Sequence, residues 1–89
     1  MEAGWTAFDY LLDRPLTIED IEKIGALNLG SFIFMRQLKQ PFFKVENHHY
    51  IIKGVAGNDF FRIAIHRDDV ENVLPNIERK IQLTMDNGG

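Results

Sequence analysis

Three β-rich runs, residues 42–46 (FFKVE), 49–55 (HYIIKGV) and 60–66 (FFRIAIH), follow one another so closely that only tight turns can join them. Such short links force neighbouring strands to pair antiparallel, because a parallel return needs a dozen residues or more. Gly57-Asn58 suits a two-residue hairpin turn, and Asn47-His48 supplies the other, since Asn tolerates positive φ. This register sets Glu46 opposite His49, Lys44 opposite Ile51 and Phe42 opposite Lys53. In the second hairpin it sets Lys53 opposite Arg62, Ile51 opposite Ala64 and His49 opposite His66. Alternation then separates two faces. Phe43, Val45, Tyr50, Ile52, Phe61, Ile63 and Ile65 form the core side. Phe42, Lys44, Glu46, His49, Ile51, Lys53, Val55, Phe60, Arg62, Ala64 and His66 form the outer side.

Helices are expected around this meander. Trp5-Thr6-Ala7-Phe8-Asp9-Tyr10 and Leu16-Thr17-Ile18-Glu19-Asp20-Ile21 share one opening, with a capping Thr, an acid three residues on and flanking apolar residues that can clasp the first turn. Pro15 ends the first helix by Arg14. The second carries Ile18, Ile21, Ile24 and Leu27 and fades between Gly25 and Gly30. Ser31-Phe32-Ile33-Phe34-Met35 fits a short buried strand, but the helix formers of Met35–Gln40 assign it to a third helix, ended by Pro41. After residue 66, Asp68 or Asp69 caps a last helix with the stripe Val70, Val73, Leu74, Ile77, Ile81 and Met85, which Pro75 must kink or restart. The expected fold is α+β: a three-stranded antiparallel meander (four strands if 31–36 is extended), two or three N-terminal helices and one C-terminal helix, the helices on one face. Residues 1–85 make one domain, and 86–89 a flexible tail.

The helix order resembles the outline of a winged-helix domain, with residues 11–21 as its first two helices and Arg36-Gln37-Leu38-Lys39 as the end of its third. It departs where such a domain reads DNA, because Ser-Phe-Ile-Phe-Met has no polar set to touch bases. No family is assigned.

Composition excludes several chemistries. Among 89 residues there is no cysteine, so disulfides, thiolate metal sites and cysteine nucleophiles are ruled out. No apolar run approaches membrane-span length. The opening Met-Glu-Ala-Gly-Trp lacks the basic start and apolar core of a secretory leader, so a soluble, cytoplasmic protein is expected. The net charge of −3 is uneven: residues 1–35 carry −4, residues 36–67 carry +4 and residues 68–89 carry −3. A basic middle can bind anions, or acidic helices can neutralise it from inside the fold.

Two constellations on the outer face can carry function. Phe42, Lys44, Ile51, Lys53, Phe60 and Arg62 interleave cations with apolar and aromatic groups. That pattern suits a protein partner, a second copy of the chain, or single-stranded nucleic acid stacked on the rings. Glu46, His49 and His66 fall in one row in this register, a carboxylate and two imidazoles of the kind that hold zinc or non-haem iron. Catalysis has little to rest on. Gly54-Val55-Ala56-Gly57 lacks the spacing and ending of a phosphate loop, Ser31 is the only serine, and capping accounts for Asp68-Asp69. The expected function is a non-catalytic binding module without a cofactor, working through the outer sheet face or a sheet edge on protein. Polyanion binding comes second and the metal site third.

Overall fold

The computed structural model describes residues 4–86. The chain runs β1 (Trp5–Leu11), α1 (Ile18–Ala26), β2 (Ser31–Met35), β3 (Phe42–Glu46), β4 (Tyr50–Val55), β5 (Phe60–His66), a single 3-10 turn (Arg67–Asp69) and α2 (Val70–Asp86). The five strands form one antiparallel sheet in the order β1-β5-β4-β3-β2. β1 and β2 therefore run in the same direction at opposite edges, and α1 carries the chain from one edge to the other. This corrects the expectation of three or four strands behind two or three N-terminal helices. Both Trp5–Leu11 and Ser31–Met35 are strands, α1 is the only helix before the meander among the described residues, and the winged-helix outline loses its first and third helices.

The reasons are local. In β1, Thr6, Phe8 and Tyr10 face the helices, while Trp5, Ala7, Asp9 and Leu11 face the other way. This alternation of aromatic and β-forming residues outweighs the capping signal at Thr6. At Thr17 the same signal is realised in full. The Asp20 N–H donates to Thr17 Oγ1 at 3.1 Å, and the Thr17 N–H donates to Asp20 Oδ2 at 3.0 Å. Met35–Gln40 has helix-forming residues but no apolar stripe to bury: Met35 ends β2, and Arg36–Gln40 makes only turns and bends. α2 continues through Pro75 as one helix. Asp86 still belongs to α2; residues 87–89 of the expected tail, and the side chain of Met85, lie outside the described residues.

The core side of the sheet is as expected. Phe43, Val45, Tyr50, Ile52, Phe61, Ile63 and Ile65 are buried with Leu16, with Ile21 and Ile24 of α1, and with Ile77 and Ile81 of α2. Both helices thus cover one face. The second hairpin keeps its expected register, Lys53 opposite Arg62 and Ile51 opposite Ala64. The first is displaced by two residues, with Lys44 opposite Lys53, Glu46 opposite Ile51 and Phe42 opposite Val55. An even displacement preserves both faces and changes only the neighbours. Asn47 sets it: its Oδ1 accepts from the backbone N–H of His49 at 2.7 Å and of Tyr50 at 3.0 Å, so the turn is His48-His49. Asn47 Nδ2 also donates to the Leu29 carbonyl at 2.7 Å, tying the turn to the loop before β2. Losing three hydrogen bonds at once, Asn47→Ala is expected to lower unfolding stability by about 2 kcal/mol in urea titrations. A loss under about 0.5 kcal/mol would mean that water replaces these bonds freely.

Candidate functional site: the uncovered face of the sheet

The face opposite the helices is organised in rows across the five strands. At one end Leu11, Phe60, Val55, Phe42 and Met35 form an apolar row. The next row is charged: Asp9, Arg62, Lys53, Lys44, then Ile33. The third is small and apolar across most of its width, with Ala7, Ala64 and Ile51, followed by Glu46 and Ser31. Trp5 and His66 close the far end, their rings 5.9 Å apart and nearly perpendicular.

This layout makes a depression. The alanines and Ile51 lower the surface between the Trp5 ring and the long Lys53 and Arg62 side chains, leaving an open concavity of about 510 Å³ with Glu46 at its end. Its floor is apolar and one wall is cationic. Such a surface accepts an apolar side chain with an acidic neighbour.

The sheet neutralises most of its own charge. Arg62 Nε donates to Asp9 Oδ1 at 3.0 Å, and Lys44 Nζ lies 3.2 Å from Glu46 Oε1. These pairs are solvent-exposed, so each contributes only a few tenths of a kcal/mol. The acids that neutralise Arg62 and Lys44 stand on the sheet, while the expected helix acid is found at Arg36, which donates to Glu22 of α1 at 2.6 Å. Lys53, flanked by Lys44 and Arg62, has no ion-pair partner among the described residues. Like charges side by side on adjacent strands disfavour the free state, and an incoming carboxylate relieves that repulsion.

All six expected binding residues, Phe42, Lys44, Ile51, Lys53, Phe60 and Arg62, lie on this face. Phe42 and Phe60 are half-buried in the apolar row. The metal trio is not brought together. With the turn at His48-His49, the His49 side chain leaves the sheet and places Nδ1 3.2 Å from Asp69 Oδ2. His66 packs on Trp5 and accepts from the Asp68 N–H at 3.4 Å, while Glu46 pairs with Lys44. Among the described residues no three His, Asp or Glu side chains are grouped to hold a metal ion.

Trp5, Ala7, Asp9, Leu11, Ile33 and Met35 belong to the face and were not expected there, because the segments that carry them read as helices. The period-two alternation of Trp5–Leu11 was the available signal. A second, smaller cleft of about 310 Å³ lies between the His48-His49 turn and α2, lined by Asn28, Asn47, Tyr50, Asn76 and Lys80 among others. Burial pushes the Tyr50 phenol up from its ordinary pKa. No helix among the described residues is long and apolar enough to cross a membrane. The chain matches no protein-family model, no curated protein and no solved structure.

Proposed function

We propose that this domain is a non-catalytic interaction module that binds protein through the uncovered face and edges of its sheet. The observation that carries the reading is one-sidedness. Both helices pack on one face, while the other presents an apolar row next to a shallow concavity with a cationic wall. A small domain seldom leaves so much sheet without a cover unless something docks there. The apolar row, half-buried at its centre and exposed at Leu11 and Met35, supplies contact area, and Lys53 supplies preference for an acidic partner.

The test places a photo-crosslinking residue at Leu11 on the open face or at Leu83 on α2, which are 77% and 58% exposed. In cells producing the protein, discrete adducts are expected from Leu11 and none from Leu83. Adducts from Leu83 alone, or from neither position, would count against the reading. Single-stranded nucleic acid is the second reading, supported by the adjacent cations Lys44, Lys53 and Arg62. It predicts amide shifts in 42–46, 50–55 and 60–66 on adding a mixed-sequence oligonucleotide, fading steeply from about 50 to 200 mM salt. The protein reading expects no such shifts, because Asp9 and Glu46 already neutralise two of the three cations.

A further inference from the structure

The strand that reads most like the middle of a sheet stands at its edge. β2 contains neither a charge nor a proline, and its five-residue ladder with β3 runs without a bulge. Folded proteins normally guard an edge with one of these devices, to stop a further strand from joining. The opposite edge is guarded, since β1 carries Asp9 held by Arg62. β2 also shows apolar groups on both faces, Phe32 and Phe34 toward the helices, Ile33 and Met35 away from them.

Exposure concentrates here. Phe32, Ile33 and Met35 are 37%, 43% and 40% exposed, three of the seven large apolar side chains most open to solvent among the described residues. Phe32 is not loose: its ring lies on α1 so closely at Gly25 that a Cβ there would collide with it. What these side chains lack is a neighbour on the strand's free side.

The strand itself specifies that neighbour. Ser-Phe-Ile-Phe-Met is close to the same in both directions about Ile33. We infer that two copies of the chain pair through β2, antiparallel about a two-fold axis at Ile33, joining two five-stranded sheets into one. Phe32 then faces the partner's Phe34 on the helical side, and Ile33 faces the partner's Ile33 on the open side. Both sets of helices lie on the same face, and the two concavities lie on the other. The inference rests on the reading of the domain as an interaction module, and it names a second copy as a partner. An isologous contact of this kind closes on itself as a dimer. A contact built on one five-residue strand is small beside the roughly 1,200 Å² of standard interfaces, so dissociation on dilution through the micromolar range is expected.

The chain has no cysteine, which gives a clean test. Opposed residues of antiparallel strands have Cα atoms about 4.5–5.5 Å apart, within disulfide reach. Under mild oxidation Ile33→Cys is expected to cross-link into a species of twice 10.3 kDa, whereas Leu11→Cys on the other edge stays single. In sedimentation equilibrium, Ile33→Lys is expected to weaken the dimer at least tenfold with an unchanged circular dichroism spectrum. A wild-type chain that sediments at 10.3 kDa up to about 1 mM overturns the pairing. So does Ile33→Cys cross-linking no faster than Leu11→Cys. If Leu11 photo-adducts form in that case, the interaction module stands without self-pairing; if they do not, both fall.

Discussion

Gly54→Val is expected to lower the unfolding free energy by about 3 kcal/mol or more, against a total of about 4–13 kcal/mol for a chain of this length. Gly54 stands on the helical side of β4, between Phe43 and Phe61 on the flanking strands. The two rings are fully buried, 6.4 Å apart and steeply inclined, and they close over the space a side chain would need. A Cβ at Gly54 would run into the Phe43 ring and stand 2.9 Å from the Phe61 Cβ. Phe61 cannot swing away, because Tyr10 is stacked on it at 4.9 Å. Relief would require moving strands, which a close-packed interior resists. Gly57→Ala is the control: with φ +95° and open space around it, it meets only the backbone penalty of about 1–2 kcal/mol. Urea titrations of both variants, followed by far-ultraviolet circular dichroism, decide the matter. Equal losses would show that the Phe43–Phe61 contact relaxes more readily than its geometry implies.

Asp20→Ala is expected to cost about 3 kcal/mol, because one buried carboxylate serves two ends of a loop. Asp20 is 3% exposed. It accepts from Arg14 Nη1 at 2.5 Å and Nη2 at 3.0 Å, and from the Thr17 N–H that opens α1. Alanine would leave the Thr17 N–H without its acceptor and the Arg14 guanidinium with only a long 3.5 Å hydrogen bond to the Pro15 carbonyl. The Arg14 hydrogen bonds, helped by those of Thr17 and opposed by burial, hold the Asp20 carboxyl at about 2, down from 3.8. The sign follows. The group binds its proton less readily folded than unfolded, so its stabilisation is present above about pH 4 and is lost as pH falls toward 2. The amount is about 2 kcal/mol. Asp20→Asn can keep the cap but not the ion pair. Its acid unfolding curve is therefore expected to be flatter than wild type between about pH 4 and 2. Parallel curves would assign acid sensitivity to other carboxylates.

The sequence disclosed the sheet's faces more readily than its extent. Phe43 through Ile65 alternate so regularly that the core side followed from period two, and it survived a two-residue displacement of the first hairpin. The neighbours did not survive. Whether the turn was Asn47-His48 or His48-His49 depended on the Asn47 side chain bonding to backbone across space, which no local propensity encodes. Trp5–Leu11 was misread because Thr6 and Asp9 imitate the cap that Thr17 and Asp20 really form. The tie-breaker, pairing with β5 about fifty positions away, is a tertiary fact. Ser31–Met35 was misread for a different reason. An apolar run without alternation looks alike in a buried helix and a central strand, and the helix formers after it tipped the balance wrongly. The six outer-face binding residues were legible because they sit on the well-signalled meander. Their companions on β1 and β2 were hidden with those strands, Asp9 and its neutralisation of Arg62 among them.

The pairing of the first strand with the last also sets a timetable. Leu11 and Phe60 are 49 positions apart and Trp5 and His66 are 61 apart, while the other ladders link consecutive strands. At about 5–20 residues per second, a ribosome makes the partner of Trp5–Leu11 some 3–12 s after the segment itself. The hairpins between β2 and β5 form from nearby residues and rise quickly, whereas β1 must wait and then close a long loop. During that interval WTAFDYL is an aromatic, β-prone heptapeptide with no strand to join, the kind of segment that seeds aggregation. Asp9 is its single charge. Before it ever meets Arg62, that carboxylate is the gatekeeper that keeps the newborn segment from finding the wrong strand.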